Sequence, residues 1–153
     1  MTIQEKDAIL SAVLDVPTAL KEVQLKPKNK FIKLLEYFGL RKPVKKMLYL
    51  RNTKMSTNYR LTAISNSLVL DSDKEGAIDN LMDLMHQNTY AMAAYIATAV
   101  QNENKPAPGY LIQTIADEFT NEELSLATKE VYRRLDVQSF FASTASVRSL
   151  DLM

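Results

Sequence analysis

Apolar positions recur most regularly between Ala77 and Gln101, in AIDNLMDLMHQNTYAMAAYIATAVQ. Ile78, Met82, Met85, Thr89, Met92, Ile96 and Ala99 fall at alternating steps of four and three, which puts them on one side of an α-helix. Leu81, Leu84, Tyr95 and Val100 widen that side, and Ala91, Ala93, Ala94 and Ala97 keep the second half small. A helix of this pattern is expected at the centre of the fold, with Ala91–Val100 as the crossing against other helices. Its first turns are polar, so Ile78–Met85 is expected nearer a surface.

Other elements follow from the same periodicity and from chain punctuation. Thr2 with Glu5 has the spacing of a capping box and opens a short helix that Pro17 ends. Thr18–Leu25 reads as a further short helical piece, and KPKNK at 26–30 as a basic linker. Asn29 is placed to cap a helix with Phe31, Leu34, Leu35 and Phe38 on one face and Gly39 as its stop. Val44–Leu50, VKKMLYL, is short and β-prone, with its strand partner expected from Val23–Leu25 or from another copy. Ser56–Leu70 is a helix with Tyr59, Ala63, Ile64 and Leu68 at helical spacing. Ser72 with Glu75 forms a second capping box before the central helix. NENKPAPG at 102–109 is a break, after which Tyr110, Leu111, Ile115 and Phe119 mark a short helix. Thr120 with Glu123 caps the next helix, with Leu124, Ala127, Val131 and Leu135 inward and Arg133 and Arg134 suited to its C-terminal dipole. Asp136 can cap a last helix with Val137, Phe140, Phe141, Thr144 and Val147 along its inner face.

The fold class that results is mainly α: five to seven helices around a central one at 77–101, with one short extended segment at 44–50. Residues 1–153 are expected to form a single domain, of which 1–28 could be a loosely packed N-terminal segment. Composition agrees, since three glycines and five prolines leave little room for a many-turned β protein. The absence of cysteine rules out disulfides and thiolate metal sites. No basic region followed by an apolar run opens the chain, and no long uncharged apolar stretch could span a bilayer. The expected location is therefore the cytoplasm, not the secreted space.

Charge changes the picture more. The net charge of +1 conceals a segment, 21–60, with twelve basic residues against two acids. Within it, Lys28, Lys30, Lys33, Arg41, Lys42, Lys45 and Lys46 interleave with Phe31, Tyr37 and Phe38. Three partners compete for such a patch: nucleic acid through phosphates, an acidic membrane surface, or an acidic protein, including another copy. A solvated basic face whose apolar side packs on the core is the plainer alternative. Lysine outnumbers arginine there, which suits base-specific readout less well.

Catalytic patterns are weak. His86 is the single histidine, and Asp79 and Asp83 on the same helix would supply too few ligands for a metal site. Ser143, Thr144 and Ser146 lack a glycine elbow, and no phosphate-cradling glycine loop occurs. No nucleophile, base and orienting group converge, so the expectation is a protein without enzymatic activity, cofactor or metal.

The order of features nevertheless resembles a family. The amphipathic FIKLLEYFGLRKP precedes the basic extended KMLYLRNTKMSTNYRLTAIS, then a Met- and Ala-rich helix, then LDVQSFFASTASVRSLDL. This is similar to the small helical tail assembly chaperones of tailed bacteriophages and prophages, particularly those of gut Bacteroidetes. Leu48, Leu50, Met55, Thr57, Arg60, Leu61 and Ser65 occupy places comparable to that family's extended segment, turn and helix start, and Phe140, Phe141 and Arg148 to its C-terminal helix. Ser56 and Ser149 stand where glycine would be expected. The resemblance implies a chaperone that binds the long tape-measure protein and keeps it soluble, with several self-associating copies on one client. Candidate client contacts are Met82, Met85 and Met92, with flexible, polarisable side chains, together with Phe31, Leu34 and Phe38. A small nucleic-acid-binding or regulatory helical protein, or a structural virion subunit, are the alternatives.

Overall fold

The computed structural model describes residues 2–6, 14–68, 78–135 and 145–149, with the backbone alone along 78–87. Among them are two strands, β1 (Thr18–Gln24) and β2 (Lys45–Leu50), and five longer helices, α1 (Lys30–Tyr37), α2 (Met55–Asn66), α3 (Ile78–Gln101), α4 (Gly109–Glu118) and α5 (Asn121–Arg134), beside short helical segments at 3–6 and 145–149. The fold is mainly α, as the periodicity requires, and α3 is its hub, packing against α2, α4, α5 and β2. The crossing lies where small residues allow close approach: Ala93, Ile96, Ala97, Thr98 and Ala99 are buried. Thr89, expected on the inner face, is exposed, and Met92 is half-buried. No described helix is long and apolar enough to cross a membrane.

Thr18–Leu25 is not helical. Its residues are good helix formers, but they pair antiparallel with β2, and Leu25 extends the ladder by donating to the Val44 carbonyl at 2.9 Å. Pairing and burial of Val23 outweigh intrinsic propensity here. The strand partner thus comes from within the chain. From Met47 onward β2 alternates: Leu48 and Leu50 are buried, while Met47 and Tyr49 face outward.

The register of β1 breaks between Ala19 and Lys21, so Thr18 opposes Leu50 and Lys21 opposes Leu48. This bulge sets Thr18 and Lys21 on one face although an odd spacing separates them. Both then reach α5. Lys21 donates to the Glu118 carbonyl at 2.6 Å and to Glu123 at 2.7 Å. Thr18 meets Glu130 and Arg134 at the other end of the helix.

Helix ends follow the sequence signals. The Thr120–Glu123 capping box closes at 3.2 Å and 2.9 Å, and the Thr2–Glu5 box at 3.2 Å and 2.7 Å. The Ser72–Glu75 box lies outside the described residues, as do Asp136, Val137, Phe140, Phe141 and Thr144. Val147, expected on an inner face, is exposed. In α2 the buried positions are Thr57 and Leu61, with Ile64 half-buried; Tyr59 and Ala63 face outward. That helix is oriented by its start rather than by an apolar stripe. Asn102, with φ of 49°, ends α3 in the left-handed region. Its side chain accepts from Lys54 N at 2.9 Å and Thr57 Oγ1 at 2.8 Å, and donates to the Asn52 carbonyl at 2.9 Å. One side chain thereby ties the end of α3 to the turn between β2 and α2. Asn102→Ala removes these bonds and disfavours the backbone conformation; a loss of about 2–3 kcal/mol is expected in urea denaturation.

The Lys21–Glu123 pair makes folding sensitive to acid. The hydrogen bond from Lys21, with the Thr120 backbone N–H, holds the Glu123 carboxyl below its usual range. A depressed folded-state pKa gives stability that is present above the unfolded value and lost as pH falls through the folded one. Stability should therefore drop below about pH 4.3. Glu123→Gln should flatten that slope in melts taken between about pH 6 and 3; an unchanged slope would remove Glu123 from the cause.

Candidate functional site

The strands are joined by an excursion, residues 26–43, that carries α1. Asn29 caps it, accepting from Ile32 N at 2.8 Å. Gly39, at φ +69°, ends it: Gly39 N donates to the Glu36 carbonyl at 3.1 Å and Leu40 N to the Leu35 carbonyl at 2.9 Å. Both signals were legible in the sequence. The surprise is what covers the helix, because none of its residues is buried. Ile32, Leu35 and Glu36 are half-buried. Phe31, Leu34 and Phe38, spaced three and four apart, face solvent; Phe31 is 67% and Phe38 63% exposed. Tyr37, Leu40 and Val44 are exposed as well. The plainer expectation, an apolar side packed on the core, is thus corrected: Phe31, Leu34 and Phe38 are left uncovered.

Charge surrounds this stripe. Lys28, Lys30, Lys33, Arg41, Lys42, Lys45 and Lys46 are all exposed. Lys28 Nζ lies 5.3 Å from the centroid of the Tyr110 ring. The other six form no ion pair among the described residues, whereas Lys21 pairs with Glu123 and Lys26 with Asp117 at 3.0 Å. Two lysines of the basic segment are therefore matched internally, and those around α1 are left for something else.

Of the methionine candidates, Met92 is not drawn into this surface. Met92 is half-buried on α3, with which α1 has no extensive contact. The side chains of Met82, Met85, His86, Asp79 and Asp83 lie outside the described residues, as do Ser143 and Thr144. Among the described residues no group of three or more His, Asp or Glu could hold a metal ion.

Two further features escaped the sequence reading. A cleft of about 280 Å³ opens between α2, α3 and the loop before α4, lined mainly by apolar groups of Tyr59, Ile64, Ala94 and Ile112. Arg60 borders it, and its Nε is buried without a hydrogen-bond partner. At the end of α5, Arg134 is buried and binds Glu130 Oε1 at 3.3 Å, Asn52 Oδ1 at 3.2 Å and Thr18 Oγ1. Adjacent arginines look alike in sequence, and only the bulge in β1 reveals which of them has partners waiting. Comparison with protein-family models, with curated proteins and with solved structures finds no match to this chain.

Proposed function

We propose that this protein is a non-enzymatic assembly chaperone of the bacterial cytoplasm, binding a long helical partner of the phage tape-measure type and keeping it soluble during tail assembly. The observation that supports it is the uncovered stripe of Phe31, Leu34 and Phe38. Three large side chains at helical spacing, bare to water on a rigidly capped helix, are costly unless a partner covers them. A helical client offers a matching seam, in which anchors at these spacings can seat. Several copies along one extended client would give the self-association expected of such a protein. The family resemblance supplies the class of client; the exposed stripe supplies a place for it.

Co-expression tests this reading. A long coiled-coil tail protein should move into the soluble fraction with the wild-type chain. It should not do so with the double variant Phe31→Ser, Phe38→Ser. Because both residues are exposed, that variant should keep its stability within about 0.5 kcal/mol. Equal client solubility with and without the protein would sink the proposal. A structural virion subunit would instead persist in purified particles, which an assembly chaperone leaves.

A further inference from the structure

The stripe on α1 is bordered unevenly. Around the helix, Ile32, Leu35 and Glu36 occupy the half-buried side. Tyr37, Lys30 and Lys33 occupy the opposite border, and Arg41, Lys42, Lys45 and Lys46 continue beyond its C-terminal end. Between 28 and 46 there are seven basic residues and one acid, Glu36. A partner seated on Phe31, Leu34 and Phe38 therefore meets cations on its free side, and those around the stripe form no ion pair within the described residues.

Resting on the reading that α1 receives a helical client, we propose that the segment it takes is an acidic amphipathic helix. Its apolar seam lies on Phe31, Leu34 and Phe38, and its flanking carboxylates face Lys30, Lys33 and the 41–46 cations. Opposite charge at the border of an apolar contact selects partners and speeds encounter more than it adds affinity. Single-stranded nucleic acid fits less well. Successive bases stack on successive aromatic platforms, but Leu34, between Phe31 and Phe38 in the stripe, offers none. An anionic bilayer fits less well too. A helix lying in a membrane interface sinks its whole apolar face, and here Ile32 and Leu35 are already half-buried with the acidic Glu36 beside them.

Two labelled peptides of about 20 residues, long enough to be helical, carry the test. They share one leucine and isoleucine seam; one is flanked by Glu and the other by Lys. In fluorescence anisotropy the Glu-flanked peptide should bind at least about tenfold tighter near 50 mM salt, and the gap should shrink near 300 mM. Changing Lys30, Lys33, Arg41 and Lys42 together to Gln should close the gap. Phe31→Ser with Phe38→Ser should abolish binding of both peptides. Equal binding of the two peptides, lost in the phenylalanine variant, overturns the acidic preference and leaves the helical-client reading standing. Binding of neither overturns both. In that event, binding to phosphatidylglycerol-containing vesicles that is lost in the phenylalanine variant assigns the surface to lipid. Binding to oligo-dT that survives in that variant assigns it to phosphates.

Discussion

Ile96→Asp is expected to abolish the cooperative thermal transition. Ile96 is fully buried at the crossing of α3, among Ala93, Ala97 and Ala99. These alanines bring neighbouring elements so close that a carboxylate has neither water nor room to find any. Ionised, it would be an unpaired charge in an apolar interior; protonated, it would still be a buried polar group short of partners. Either form costs several kcal/mol, against a total stability of about 5–15 kcal/mol for a domain of this kind. A milder variant keeps the idea measurable: Ile96→Ala should cost about 2–5 kcal/mol in urea denaturation. If Ile96→Asp melts like the wild type, the side chain is not in the core and the packing around α3 is wrong.

Arg134→Ala should have the second largest effect, about 3–5 kcal/mol. The guanidinium is the meeting point of three elements. It binds Glu130 one turn back on α5, Asn52 in the turn after β2, and Thr18 at the start of β1. The Arg134 carbonyl also accepts from Thr53 N and Thr53 Oγ1, each at 3.4 Å. Truncation keeps the carbonyl bonds but takes the guanidinium donors from Glu130, Asn52 and Thr18, in a place water reaches poorly. Arg133 provides the control. It pairs with the other oxygen of Glu130 at 3.0 Å, but its side chain is 56% exposed. Arg133→Ala should therefore change stability by less than about 1 kcal/mol. Similar losses in the two variants would show that Glu130, not the fork of Arg134, organises the corner. Arg134→Lys is informative as well: it keeps the charge and loses the planar arrangement of donors, so most of the loss should remain.

Helix ends and the central helix were legible in the sequence because their causes are local. Asn29 and Gly39 bracket α1, Thr120 with Glu123 opens α5, and the alternating steps of three and four locate α3. What escaped depends on residues far apart in the chain. TALKEVQ carries enough Ala, Leu, Lys and Glu to suggest a helix, and only pairing with KKMLYL makes it a strand. The bulge that turns Thr18 toward Arg134 has no signature in β1 alone. VKKMLYL hides its alternation because Met47 and Tyr49 on the solvent side are themselves apolar. For α1, periodicity shows that one side is apolar but not what lies against it. Phe31, Leu34 and Phe38 stand out in that pattern, and only the fold shows that they are exposed.

The position of α1 in the chain has a consequence for heredity. The excursion begins and ends at paired strands, where Leu25 N reaches the Val44 carbonyl at 2.9 Å. The cost of closing such a loop changes slowly with its length, by about 0.6 kcal/mol per doubling. Since none of the side chains of α1 is buried, a substitution there leaves the core around α3 untouched. The excursion can therefore drift, lengthen or be exchanged while the body still folds. A lineage facing a new partner could retune this one insertion, and the residues that build the molecule need not take part.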